Sequence, residues 1–105
     1  MSLAERGPAD VVLALALVHH LAIGNNLPFA RIAEFLAVLG KTLIIEFVPK
    51  GDSQVRRMLA SREDVFGDYT PRHFENDFER WFAIEERMPI PETQRTLYRM
   101  RRRAS

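Results

Sequence analysis

The chain has 105 residues, enough for one compact domain able to bury roughly two thirds of the surface its unfolded form exposes, and its 47% hydrophobic and 28% charged content excludes a disordered or coiled-coil chain. A net charge of +1 gives the molecule no overall field to draw it to nucleic acid or an anionic membrane. With no cysteine, disulfides, thiolate zinc sites and cysteine nucleophiles are ruled out, and the expected setting is a reducing cytoplasm.

Residues 1–9 read as an N-terminal extension, Met1-Ser2-Leu3 having the bland character of an expression scar. Val11 to Leu17 is a continuous apolar stretch that suits a strand buried on both faces. His19 and His20 break this apolar run before it reaches the roughly 18 to 20 residues of a membrane helix, and Glu5 and Asp10 stand where a secretory signal carries a basic leader. Asn25-Asn26-Leu27-Pro28 marks a helix start. Phe29, Ile32, Phe35, Leu36 and Leu39 follow as one apolar stripe, and Gly40 is the expected left-handed stop. "KTLIIEFVP" is a second buried strand, so the first half reads as a βαβ unit with a parallel strand pair.

In the second half, Asp52 or Ser53 caps a short helix carrying Val55, Met58 and Leu59, and "REDVFGDY" forms a loop. Thr70-Pro71 then opens a helix with Phe74, Phe78 and Trp81 on one face. Phe82, Ile84, Glu86 and Met88 alternate with wetter neighbours as a strand, "PIPETQ" is a connection, and "RTLYRMR" returns as an antiparallel final strand. Arg95, Arg99, Arg101, Arg102 and Arg103 crowd the C-terminus and read as a solvated, fraying region, with residues 103–105 as a basic tail.

"DVVLALALVHHL", "RIAEFLAVLGKTLIIEFVPKGDSQVRRML" and "ERMPIPETQRTLYRMRR" together resemble the C-terminal half of a class I S-adenosylmethionine-dependent methyltransferase, in particular the bacterial nodulation-protein-like methyltransferases. The resemblance covers residues 10–102. It implies an α/β fold, a partial Rossmann-like sheet of two parallel strands plus an antiparallel C-terminal pair flanked by helices. The strands would be the family's fourth to seventh, the last inserting antiparallel between the fifth and sixth. What is missing is the cofactor half: Gly7, Gly24, Gly40, Gly51 and Gly67 are scattered singly, with no G-x-G turn to let backbone approach the cofactor. The resemblance therefore implies S-adenosylmethionine in a complete protein, none bound by this chain alone, and methyl transfer to an unknown acceptor only when the rest is supplied. The alternative is a non-catalytic α/β protein-interaction module.

In open α/β sheets ligands sit beyond the carboxyl ends of the parallel strands, which is where His19 and His20 fall. A histidine there suits a general base, the plainer alternative being one ring packed inward and the other shielding a turn. By the resemblance, Ala16 and Leu17 lie near the methionine end of the cofactor. Adjacent side chains at a strand end diverge and no third ligand joins them, so no metal site is expected. Glu46 interrupts "LIIEFV" and is either at a pocket edge or in an ion pair with Arg31 or Arg95. Asp64, Phe66 and Tyr69 form a substrate-side lid or else tuck their aromatics onto the core. Finally, "VVLALAL" carries no lysine or proline to discourage pairing, and predicts a homodimer through its strand edge or through uncovered sheet faces.

Overall fold

The computed structural model describes residues 9–60 and 66–103. In chain order they form β1 (Ala9–Ala14), α1 (Phe29–Leu39), β2 (Gly40–Phe47), α2 (Ser53–Leu59), α3 (Pro71–Phe78), β3 (Phe82–Pro89) and β4 (Thr96–Arg102). The sheet order is β1-β2-β4-β3. β1 and β2 are parallel, and β4 runs antiparallel between β2 and β3. This is a mixed α/β, partial Rossmann-like sheet with the last strand inserted where it was expected.

The first strand departs from expectation in length and burial. It ends at Ala14, because Leu15 and Ala16 turn the chain, Ala16 adopting a left-handed φ of 53°. Val12 and Ala14 are buried while Val11 and Leu13 are exposed, so only one face is covered. Leu17 opens a helical segment, its carbonyl accepting from the amides of His20 and Leu21, which runs into a π-helical turn over His20–Gly24. His19 and His20 therefore stand on a helical turn and not on a strand end.

In α1 neither asparagine caps the helix: Pro28 occupies the capping position and Asn26 takes a left-handed φ of 55° in the approach. The buried face is Phe29, Ile32, Ala33, Leu36 and Ala37, with Phe35 left 58% exposed. Gly40 is extended, at φ −163°, and passes directly into β2, so the expected left-handed stop does not occur. Asp52 accepts from the Gln54 amide at the head of α2, and Thr70 from the His73 amide at the head of α3, with Pro71 in the first turn. A β-bulge between Ile84 and Glu86 upsets the strict alternation expected of β3.

One face of the sheet carries the core. Phe47 of β2 and Tyr98 of β4 meet Phe29 of α1, Tyr69 and Phe74 of α3 in a continuous set of ring contacts that Phe78 extends to Phe82. Trp81 lies outside this stripe, half-buried beneath the Arg80 guanidinium. The C-terminal arginines are not a fraying tail. Arg99 and Arg101 pair with Glu85, Arg102 donates to the Ala37 carbonyl, and Arg103 donates to the Glu79 carbonyl.

Candidate functional site at the carboxyl edge

The carboxyl ends of β1 and β2 and the start of β4 bring a polar chain of contacts to one edge of the sheet. Ala16 donates its N–H to Glu46 Oε1 at 2.8 Å, which holds the left-handed turn after β1. Glu46 Oε1 faces Arg95 Nη1 at 3.7 Å. Of the two partners expected for Glu46 it is Arg95 that meets it; Arg31 faces Glu34 on α1. Arg95 forms a bidentate pair with Asp52, Nε to Oδ2 at 2.8 Å and Nη2 to Oδ1 at 3.1 Å. That pair, foremost, holds the Asp52 carboxyl below its ordinary range and raises Arg95.

Asp52 fixes the first turn of α2, and from there Gln54 Oε1 reaches His19 Nε2 at 3.2 Å. His19 is completely buried and its Nδ1 has no hydrogen-bond partner among the described residues. Burial, reinforced by the neighbouring His20, pushes its pKa below the ordinary histidine value, so its ring is neutral at pH 7. His20 is exposed and its ring lies 4.3 Å from that of His19. With Gln54 Oε1 as acceptor, the His19 proton sits on Nε2, leaving the Nδ1 lone pair as a buried acceptor with no donor among the described residues.

The remaining predicted residues fall as follows. The Ala16 amide is engaged by Glu46, and Leu17 is half-buried with its carbonyl engaged by the helical turn. Tyr69 is buried, and its hydroxyl donates to the Val48 carbonyl, with desolvation raising its pKa. Its ring, with Leu27, Pro28, Phe29 and Phe66, lines a cavity of about 330 Å³ beside the α1 N-terminus. Asp64 lies outside the described residues. Among the described residues no group of three or more His, Cys, Asp or Glu side chains is placed to hold a metal, and no helix is long and apolar enough to cross a membrane.

Sequence reasoning named Arg95 as a partner of Glu46 but missed Asp52 and Gln54 as members of this edge. Asp52 was legible as a helix cap, and a cap facing an arginine 43 positions on is a tertiary relation that no local pattern carries. The chain is similar to Nodulation protein NoeA of Rhizobium meliloti (strain 1021), with 45% identity over 98 residues, which are 93% of this chain and 21% of that protein. It thus spans about a fifth of the length of that relative. No protein family and no solved structure matches it.

Proposed function

We propose that this chain is the carboxyl-edge part of an S-adenosylmethionine-dependent methyltransferase, working with a glycine-rich cofactor half supplied by other residues of a longer polypeptide. The observation that carries the reading is the antiparallel β4 lodged between β2 and β3, beside a carboxyl edge furnished with an exposed histidine. The described residues do not by themselves fit the cofactor. There is no glycine turn in the sequence, and the Ala16 amide at the turn after β1 is already spent on Glu46. When bound in the complete protein, the cofactor supplies an electrophilic methyl group on sulfur.

This chain's part is to shape the acceptor side. His20 offers an exposed imidazole able to take the proton that an acceptor N–H or O–H releases as it is methylated. His19 is a positioning residue: fixed by Gln54 and packed in a tilted contact against His20, it holds the second ring at the edge. Glu46, Arg95 and Asp52 lock the turn, β4 and α2 around them. The reading supports activity in the bacterial cytoplasm, with the acceptor unassigned.

Calorimetric titration with S-adenosylmethionine tests this. The 105-residue chain should bind negligibly, while a longer polypeptide that joins it to a glycine-rich half should bind at micromolar to submillimolar level. Submillimolar binding by the short chain, or none by the longer one, would overturn the reading.

A further inference from the structure

Opposite the carboxyl edge, where β1 and β2 begin and β4 finishes, the molecule holds an open cleft of about 1100 Å³. Lys41 at the start of β2, Arg80 in the turn between α3 and β3, and Arg101, Arg102 and Arg103 at the far end of β4 line it. Most of this charge meets no carboxylate. Among the described residues only Arg101 of the five has one, its Nε lying 3.2 Å from Glu85 Oε2. Arg102 and Arg103 each donate to a helix carbonyl, Nη1 to Ala37 and Nε to Glu79, which fixes the guanidinium and leaves its other N–H groups over. Lys41 and Arg80 are exposed and have no hydrogen-bond or ion-pair partner among the described residues; Arg80 lies over the Trp81 ring, 5.0 Å from its centroid.

Against the five cations stand Asp10 on the β1 side of the cleft, Glu85, and the C-terminal ends of α1 and α3, each end equivalent to about half a negative charge, so a surplus of about two positive charges remains. It is concentrated at one place in a chain whose net charge is only +1. The cations sit on β2, the α3–β3 turn and β4, whose positions the strand pairing and the two carbonyl bonds fix, so the cluster does not rest on where the chain begins.

We propose that this cleft binds the oligophosphate group of a small ligand, carried by a nucleotide or free in solution. The inference does not depend on the methyltransferase reading. A guanidinium meets phosphate oxygens in pairs and an ammonium adds a point charge on a flexible stem, so Arg102 and Arg103 supply donors already held in place and Lys41 a mobile one. The Arg80 plane, backed by Trp81, is a stacking surface that a nucleotide base uses and a free oligophosphate does not. Nucleic acid is the poorer fit. On the sheet face beside the cleft Arg99 and Arg101 are already paired with Glu85 and Glu86, so a long phosphate backbone finds no cationic track to follow.

Calorimetric titration of the 105-residue chain at low salt should give micromolar dissociation constants for tripolyphosphate and for ATP, weakening as salt is added. Trp81 is the single tryptophan, so its emission should change with the same midpoint. ATP binding more tightly than tripolyphosphate identifies a nucleotide as the source and equal binding the free oligophosphate; either result supports the site. Lys41→Gln and Arg80→Gln, both at exposed positions, should each weaken binding about fivefold, whereas Arg56→Gln, which removes the same charge from α2, should leave it unchanged. A longer polypeptide that contains this chain should bind the same ligands. Binding no tighter than millimolar, an unmoved Trp81 emission, equal losses from the three variants, tighter binding of a short oligothymidylate than of ATP, or a longer polypeptide whose other residues occlude the cleft and abolish binding overturns the proposal.

Discussion

His19 is the side chain whose surroundings most oppose its chemistry. It is buried, held on Nε2 by Gln54, without an Nδ1 partner among the described residues, and pushed below the ordinary histidine pKa by burial first and by His20 second. In the unfolded chain its pKa returns to about 6.5. As pH falls from about 6.5 the unfolded state takes up the proton first, so stability present at neutral pH is lost on acidification until the folded ring also protonates. Asp52 and Glu75, also depressed, each chiefly by an arginine hydrogen bond, lose their contribution only lower, from about pH 4 downward. The urea midpoint is therefore expected to fall between pH 7.5 and 5, and His19→Gln should flatten that slope; an unchanged slope in the variant would remove His19 from the account. The pair stood out in "HHL", but which ring packs inward did not. On a strand the two side chains would face opposite sides of the sheet, whereas on the observed helical turn they diverge by about 100°, one ring going inward and the other staying close enough to touch it in a tilted contact.

At the scale of elements, the βαβ unit and both second-half helices were readable because apolar periodicity, Asp52 and Thr70-Pro71 are local signals. The end of β1 was not. Nothing in "VVLALAL" marks Ala14 as the last strand residue, since the turn is fixed from Glu46, 30 positions away. Asp52 shows the same division within one residue, as it both caps α2 and grips Arg95 at the start of β4. The two roles separate by substitution. Asp52→Asn keeps a capping oxygen but loses the charge pair, and is expected to cost about 1 to 2 kcal/mol, because the side chains of Asp52 and Arg95 are only 11% and 21% exposed. Asp52→Ala loses both and is expected to cost about 1 kcal/mol more. Chemical denaturation of the two variants decides it, and an asparagine variant as stable as the natural chain would show the pair to be idle.

For the whole molecule, the sheet order followed from the resemblance, whereas the role of the C-terminal arginines did not, because a basic cluster looks the same whether it is solvated or anchored. β4 alternates Tyr98 and Met100 inward with Arg99 and Arg101 outward. Arg102, in phase with the inward residues, reaches the last turn of α1 at the Ala37 carbonyl, and Arg103 reaches the Glu79 carbonyl at the end of α3. Cations thus meet the negative ends of both core helices, and the last strand clamps the helical layer onto the sheet. With that layer on one face alone, stability concentrates in the aromatic contacts between helices and sheet. Phe74 is their hub, touching Phe29, Phe47, Phe78 and Tyr98. Truncating it removes a fully buried ring and leaves a cavity, a loss of about 3 to 5 kcal/mol against a total of about 5 to 15 kcal/mol for a domain. Phe74→Ala is therefore expected to bring the chain close to its unfolding midpoint, seen as a lowered urea transition in the fluorescence of the single tryptophan, Trp81. Phe35→Ala, on the exposed side of α1, should move that transition by less than about 0.5 kcal/mol under monomeric conditions. Equal losses from the two would mean that the core is not organised around Phe74.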